Sequence, residues 1–161
     1  MEAVKVLFVC LGNICRSPMA EGLFLDLIEK ENISDKFEVD SAGTSGHHVG
    51  ERADRRMRMT AESHGVELPS RSRQIKPNDL YTYDYILAMD RSNLRNIEAL
   101  QHAGKPATAK ILLMRKFDHE ANGLDVPDPY YGGQDGFEDV YQMLQRSNIE
   151  FLEHVKTEQS I

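Results

Sequence analysis

The stretch VKVLFVCLGNICRSP, residues 4–18, decides the fold that the sequence predicts. Its first part, Val4–Cys10, is a mainly apolar run that predicts a buried strand. Pro18 is typical of the first turn of a helix, where its missing N–H would be unpaired in any case. A short loop containing Gly12 and Asn13 lies between these two parts. The stretch therefore predicts a strand, a tight loop and a helix in succession.

The apolar pattern predicts the same alternation along the rest of the chain. Further strands are predicted at Phe37–Ala42, Tyr85–Met89 and Lys110–Met114. Helices are predicted at Pro18–Lys30, Arg52–His64 and Ser92–Ala103, and a long one after a Pro- and Gly-rich segment at 122–136. Strands that alternate with helices form a parallel sheet covered on both faces. We therefore expect one domain, residues 1–161, with a three-layer α/β/α fold that is flavodoxin-like or Rossmann-like.

The loop after the first strand has the chemistry of an oxyanion site. Backbone N–H groups in such a loop, and the N-terminus of the next helix, attract a bound oxyanion. Arg16 adds a planar set of donors that binds two oxygens at once. This positive charge favours the thiolate of Cys10, which is a nucleophile. The predicted phosphate-binding loop comprises Leu11, Gly12, Asn13, Ile14, Cys15, Arg16 and Ser17.

Two details of this loop concern the role of Ser17 and the type of phosphate chemistry. Ser17 would donate to the sulfur of Cys10, or cap the helix, or do both. No Gly-Lys-Ser/Thr follows the loop, which argues against phosphate transfer from ATP. A thiolate that attacks phosphorus instead forms a phosphocysteine and divides hydrolysis into two easier steps.

Hydrolysis of a phosphate ester also needs a proton donor for the leaving oxygen. Asp125 and Asp128 lie in the segment DVPDPYY, residues 125–131. The pattern does not choose between them, because a bound phosphate dianion would keep either carboxyl protonated. Tyr130 and Tyr131 are expected to form an aromatic wall against a flat substrate ring.

Composition narrows the classes of function. The 19 basic and 26 acidic residues give a net charge of −7, which argues against a nucleic-acid partner. The apolar run near the N-terminus is too short to cross a membrane and lacks the basic segment of a signal peptide. Two cysteines five positions apart do not form a secreted disulfide framework, so we expect a cytoplasmic location. A monomer is the default expectation.

Four motifs together resemble the low-molecular-weight protein tyrosine phosphatases. They are CLGNICRSP at 10–18, DSAGTSG at 40–46, MD at 89–90 and DPYYGG at 128–133, in the family's order. The resemblance implies a four-stranded parallel sheet flanked by helices. It also implies a protein-tyrosine phosphatase that hydrolyses phosphotyrosine in proteins without a metal or another cofactor.

Residue by residue, the resemblance implies that Cys10 is the nucleophile, Arg16 binds the phosphate and Asp128 is the general acid. Asn13 matches the residue that shapes the loop. Ser17 matches the serine that supports the thiolate. The partner is then a phosphotyrosine-containing protein, and a tyrosine kinase is a further candidate.

The resemblance extends to the cleft and to protection against oxidation. Tyr130 and Tyr131 match the aromatic pair that lines the family's cleft, and Cys15 matches a second cysteine that traps an oxidised nucleophile as a reversible disulfide. Where the family commonly has an aromatic and then an acidic residue, this chain has His47 and His48. The substrate cleft is expected to contain His47, with a specificity and pH profile altered by histidine. Adjacent histidines without a further cluster argue against a metal site.

Three rival functions and one basic segment complete the predictions. An arsenate reductase relays electrons through further cysteines, and this chain has none beyond Cys15. Protein-arginine phosphatases are similar, but their loop has a threonine where this chain has Ile14. Isoleucine at this position therefore favours phosphotyrosine over phosphoarginine. A thiol redox switch or phosphate-binding module would have no use for the Asp-Pro motif.

The basic segment consists of four arginines that either attract phosphoproteins or form an ordinary exposed helix face, namely Arg52, Arg55, Arg56 and Arg58.

Overall fold

The sheet is the centre of the fold. The computed structural model describes residues 2–130 and 134–161, and in them four parallel strands form one sheet. The strands are β1 (Val4–Cys10), β2 (Phe37–Gly43), β3 (Tyr85–Ala88) and β4 (Lys110–Leu113). Their order is β2-β1-β3-β4, and every neighbouring pair is parallel. The predicted four-stranded sheet is confirmed, and its order is that of the flavodoxin-like fold, not of the Rossmann fold.

Helices cover both faces of this sheet. They are α1 (Arg16–Lys30), α2 (Arg55–Ser63), α3 (Arg91–Glu98) and α4 (Gln134–Gln159). Val6 and Phe8 of β1 pack with the apolar faces of α1, α2 and α4, while Leu7 and Val9 pack with α3. Successive side chains of a strand point to opposite faces, so β1 contributes to both cores. The predicted three-layer arrangement follows from this alternation.

The element boundaries differ from the sequence predictions at several ends. Helix α2 begins at Arg55 and not at Arg52, because the side chain of Asp54 accepts a hydrogen bond from the Arg56 backbone and caps the helix there. Helix α3 ends at Glu98, short of the predicted Ala103. The chain after β4 turns into a short 3₁₀ helix at Met114–Phe117, so the strand is one residue shorter than predicted.

Two further short 3₁₀ helices, Ser34–Lys36 and Pro77–Tyr81, were not predicted. Single turns of this kind are too short to produce a periodic apolar pattern, so the sequence alone does not show them. The long helix α4 begins at Gln134, inside the segment predicted to be a loop. Across residues 2–130 and 134–161, no helix combines the length and apolar character needed to cross a membrane.

Candidate active site

The loop between β1 and α1 lies at the carboxyl end of the central strand, where ligands bind in folds of this type. Cys10 is the last residue of β1 and pairs with Gly43 of β2. A Cβ atom at Gly43 would lie 2.7 Å from the backbone oxygen of Leu11, so glycine is required for the loop to pass this close. Asn13 has a φ of +56°, a left-handed conformation that asparagine tolerates better than most residues. The tight loop predicted at this point therefore depends on local backbone geometry.

The Cys10 sulfur is surrounded by hydrogen-bond donors. The backbone N–H of Asn13 donates to Sγ over 3.3 Å, and the hydroxyl oxygen of Ser17 lies 3.0 Å from Sγ. The Asn13 side-chain amide donates to Ser17 Oγ over 2.8 Å, and the Ser17 hydroxyl has two acceptors within reach, the Cys10 sulfur at 3.0 Å and the backbone oxygen of Ala42 at 3.4 Å. Ser17 does not cap α1: the N-cap position is Cys15, and Ser17 lies inside the first turn. The capping alternative is therefore wrong, and the contact with sulfur remains.

A buried polar chain continues from Asn13 into the core. The same Asn13 amide donates to Ser41 Oγ over 3.0 Å, and the Ser41 hydroxyl donates to Glu21 Oε1 over 2.5 Å. Glu21 is 5% exposed, and burial raises the pKa of its carboxyl above the usual range. Sequence reasoning missed both Ser41 and Glu21, although a charged residue on the buried face of an amphipathic helix was a signal for Glu21.

Arg16 is buried beneath the same loop. Its Nη1 donates to Asp90 Oδ2 over 2.6 Å and to the backbone oxygen of Val126 over 3.0 Å. Its Nη2 lies 3.4 Å from Asp128 Oδ2. Burial opposes the charge of Arg16, but the field of Cys10 and the bond to Asp90 raise its pKa. The guanidinium is thus fixed in orientation and stays charged, which is what binding a phosphate dianion requires.

Asp90 is a further functional residue that the sequence reasoning did not assign. Its Oδ2 holds the guanidinium of Arg16, and its Oδ1 accepts from the backbone of Asn93 and caps α3. The MD motif in which it lies was the available signal, but that motif was used only for family resemblance. One carboxylate therefore joins the start of a helix to the orientation of the phosphate-binding arginine.

The structure separates the two candidate acids. Asp128 lines the cleft above Cys10, with its Oδ1 accepting from the backbone of Tyr130 over 3.0 Å. Asp125 does not line the cleft but accepts hydrogen bonds from the backbone and side chain of Arg91. These bonds from Arg91 lower the pKa of Asp125 and hold it as a carboxylate. Of the two, only Asp128 lines the cleft that contains Cys10.

The cleft itself encloses about 200 Å³, which is smaller than the usual site for a drug-sized ligand. The phosphate loop forms its floor, and the loop after β2 and the segment around Asp128 form its sides. The described lining residues are Cys10, Leu11, Gly12, Ile14, Cys15, Arg16, Ser45, His47, His48, Asp128 and Tyr130. Tyr131, predicted as the second half of the aromatic wall, falls at 131–133, outside the described residues.

The two histidines line one side of the cleft, and they meet edge to face with ring centroids 4.8 Å apart. His48 Nδ1 is 2.8 Å from Glu51 Oε2, and a Cβ atom at Gly12 would lie 3.1 Å from the His48 ring. The ring therefore packs directly on the phosphate loop. In the part of the chain that the structure describes, no group of three or more His, Cys, Asp or Glu side chains is arranged to hold a metal ion.

Cys15 shares the cleft with Cys10, and both are free thiols. Cys15 is buried, and this burial, with the nearby charge of Asp54, raises the pKa of its thiol far above the usual value. Cys15 therefore stays a neutral thiol at physiological pH. The loop thus holds one cysteine among hydrogen-bond donors and one that is buried near a carboxylate.

Comparison with known proteins decides the family. The model of the low molecular weight phosphotyrosine protein phosphatase family matches residues 5–161. The chain belongs to this family. The resemblance predicted from the four motifs is confirmed, and so is the prediction of a protein-tyrosine-phosphatase enzyme.

Individual relatives agree over nearly their whole length. A human protein named low molecular weight phosphotyrosine protein phosphatase is 46% identical over 153 residues, which cover 94% of this chain and 96% of the relative. The solved structure of a protein tyrosine phosphatase from Entamoeba histolytica has a TM-score of 0.90 at 38% identity and covers 98% of this chain and 99% of that one. The solved structure of a Drosophila arginine phosphatase has a TM-score of 0.89 at 37% identity, covering 95% and 98%.

Proposed function

We propose that this chain hydrolyses phosphotyrosine in proteins, and small aryl phosphates, through a phosphocysteine formed on Cys10. The observation that supports this most is the convergence of three groups on one cleft, a sulfur, a fixed guanidinium and a carboxyl. Cys10 is the nucleophile, Arg16 binds the phosphate oxygens and Asp128 is the general acid. No metal ion takes part in the proposed reaction.

In the first step, the phosphate oxygens bind to the backbone N–H groups of residues 11–17 and to Arg16. The Cys10 thiolate attacks phosphorus, the P–S bond forms, and the bond from phosphorus to the tyrosine oxygen breaks. Asp128 gives its proton to that oxygen, so tyrosine leaves as a neutral phenol. The donors around the developing charge are already in place, which lowers the barrier without reorganisation.

In the second step, water attacks the phosphorus of the phosphocysteine. Asp128, now a carboxylate, takes a proton from the water, the P–S bond breaks, and inorganic phosphate leaves. The departing sulfur carries a negative charge, which the hydroxyl of Ser17 stabilises because its oxygen is 3.0 Å from Sγ. Each proton that Asp128 gives in the first step is thus recovered in the second.

Preference for phosphotyrosine over phosphoarginine rests on Ile14. This residue is 8% exposed and lines the cleft, so its bulk occupies space at the phosphate loop. Tyr130 on the opposite side offers an aromatic surface to a flat ring. The Drosophila relative named an arginine phosphatase makes phosphoarginine the substrate to test against.

Cys15 protects the nucleophile in this proposal. A peroxide oxidises the Cys10 thiolate to a sulfenic acid, with release of water, and the Cys15 thiol then displaces water to form a disulfide. Mild peroxide treatment followed by peptide mass spectrometry should find the Cys10–Cys15 disulfide, and thiol reduction should restore activity. Over-oxidised Cys10 beside a free Cys15 would contradict this role.

The remaining parts of the proposal concern context. We propose that residues 1–161 act as one domain, as a monomer in the cytoplasm, on phosphotyrosine-containing proteins that include a tyrosine kinase. Light scattering on the purified chain measures its oligomeric state, and a mass that doubles at micromolar concentration would contradict the monomer.

The proposed reaction is tested by turnover and by trapping. The purified chain should hydrolyse phosphotyrosine peptides in the presence of a metal chelator, and vanadate should inhibit it. Acid quenching during turnover should leave a phosphoryl group on Cys10 that mass spectrometry detects. A strong preference for phosphoarginine peptides, or dependence on added metal, would contradict the proposal.

A further inference from the structure

The arginines of this chain fall into two groups. Six form ion pairs with carboxylates, namely Arg16, Arg56, Arg73, Arg91, Arg115 and Arg146. Among the described residues the other five have no such pair, namely Arg52, Arg55, Arg58, Arg71 and Arg95. Four of these five lie between positions 52 and 71.

Three of the four arginines are exposed: Arg52, Arg55 and Arg71. The fourth, Arg58, is half-buried and donates to the backbone oxygen of Ala53, as the exposed Arg71 does to that of Gly50. We call the three exposed arginines the basic rim. The structure thus divides the basic segment singled out in the sequence, and adds Arg71, which lies apart from it in the chain.

The placement of the basic rim is electrostatically unfavourable in the absence of a ligand. Arg52 and Arg71 lie directly opposite each other in an antiparallel bridge, and like charges in that position destabilise the pairing. Arg55 is the first residue of α2, where the positive end of the helix dipole repels a cation. The carboxylate of Asp54 caps this end of α2, but it is bound to Arg56 and leaves Arg55 without an ion pair. A bound anion would relieve the repulsion between Arg52 and Arg71.

The basic rim adjoins the cleft. Ser72, next to Arg71, donates from its hydroxyl to the backbone oxygen of Gly12 over 3.1 Å. The backbone N–H of Asp54, next to Arg55, donates to the oxygen of Ile14 over 2.7 Å. Both acceptors belong to the phosphate loop. The rim is therefore attached to the loop that binds the phosphate, on the side of the cleft formed by the histidines.

We propose that the basic rim binds acidic side chains that flank the phosphotyrosine of a substrate protein, an inference that rests on the proposed function. An extended peptide advances about 3.3–3.6 Å per residue, so side chains two or three positions from the phosphotyrosine lie about 7–10 Å away from it. Such side chains pass over the surface beside the phosphate loop, to which the rim is attached through Ser72 and Asp54. The rest of the surface, with its negative charge, repels such a peptide, and the rim supplies the opposing attraction.

The test compares three phosphotyrosine peptides of equal length, with Asp/Glu, Ala/Gln or Lys residues on both flanks. The wild-type chain should show the highest kcat/KM on the acidic peptide. Arg52→Gln and Arg71→Gln should each lower that value about two- to fivefold, the effect of an exposed ion pair. The double variant should lose the acidic preference, while hydrolysis of a small aryl phosphate stays unchanged.

Arg95→Gln is the matched control, because Arg95 is exposed and forms no ion pair with a carboxylate. Arg95 belongs to α3, and α3 packs on the face of the sheet opposite to α2. Arg95→Gln should leave all three peptides unaffected. The acidic preference should also shrink as salt rises from about 50 to 300 mM. Equal values for the three peptides in the wild-type chain, or a loss in Arg95→Gln as large as in the rim variants, would overturn the proposal.

A binding arm separates this inference from the proposed function. Fluorescence anisotropy of labelled acidic and neutral phosphopeptides on the Cys10→Ser background needs no turnover. Tighter binding of the acidic peptide, lost in Arg52→Gln/Arg71→Gln, supports the rim even if hydrolysis fails. If the enzyme is active but neither assay shows a preference for the acidic peptide, the role of the basic rim is contradicted and the proposed function is not.

Discussion

The cleft is built from two loops that are held in different ways. In the phosphate loop, Asn13, Arg16 and Ser17 are 2% exposed or less, and their hydrogen bonds lead into the core. In the acid loop, residues 125–130, the side chain of Asp128 is 35% exposed. Buried hydrogen bonds in a low dielectric are strong and costly to break, whereas exposed ones compete with water. The phosphate loop is therefore the more rigid of the two.

The acid loop depends on four arginines from four helical segments. Arg16 of α1 donates to the oxygen of Val126, and Arg115 of the 3₁₀ helix at Met114–Phe117 donates to the oxygen of Asp125 over 3.1 Å. Arg91 of α3 binds Asp125, and Arg56 of α2 donates to the oxygen of Tyr130 over 3.0 Å. The phosphate loop binds the reacting group, and these arginines fix where the proton donor lies. Changes to the two loops should consequently have different kinetic effects.

The largest effect is expected from Cys10→Ser. Because a serine hydroxyl in this position is not ionised and no base is available to it, kcat should fall at least about 10⁴-fold. The loop should keep its shape, since Ser17 and Asn13 retain their partners in the core. Phosphotyrosine-peptide binding by calorimetry should persist. Turnover within tenfold of wild type would show that the nucleophile lies elsewhere.

The next effect tests the acid loop directly. Asp128→Ala should lower kcat on phosphotyrosine about 10²- to 10³-fold, as loss of a general acid does. An aryl phosphate with a good leaving group, which needs little protonation, should lose much less. Asp125→Ala is the matched control and should cost under about tenfold, because Asp125 only anchors the loop through Arg91. A larger loss of kcat in Asp125→Ala than in Asp128→Ala would show that Asp125 is the general acid and that Asp128 is not.

Arg56→Gln should have a smaller effect of the same kind. Its guanidinium also packs over the rings of Tyr130 and Phe137, with centroid distances of 5.5 and 4.7 Å. Without it the acid is less well placed, and kcat on poor leaving groups should fall about tenfold. Aryl phosphates with good leaving groups should be nearly unaffected.

Arg55→Gln is the control for Arg56→Gln, since Arg55 is the exposed neighbour on the same helix. It should not change the dependence on the leaving group. An equal loss of rate across all aryl phosphates in Arg56→Gln would indicate general loosening of the fold and would contradict a role in placing the acid.

The difference between the phosphate loop and the acid loop also explains which parts of the site could be predicted from the sequence. The phosphate loop is contiguous, so Val4–Cys10 and the residues after it predicted the strand, the loop and the anion site together. The bounds of β1 are confirmed to the residue. The acid loop depends on contacts such as Arg56 to Tyr130, which join residues 74 positions apart. No local pattern encodes such contacts, and for this reason the residue pattern left Asp125 and Asp128 undecided, and only the family resemblance pointed to Asp128.

The smallest effect concerns the buried end of the phosphate-loop network. Burial raises the folded-state pKa of Glu21, so the folded state holds a proton that the unfolded chain has lost, and stability falls as pH rises from about 4.5 through that pKa. Glu21→Gln removes this loss. Relative to wild type, the unfolding free energy of the variant should rise as the pH rises from 4 towards 7, measured by urea denaturation. Glu29→Gln, at an exposed position of α1, is the control and should show no such trend. If the unfolding free energies of Glu21→Gln and wild type depended on pH in the same way, the pKa of Glu21 would not differ between the folded and unfolded states, which would contradict the prediction.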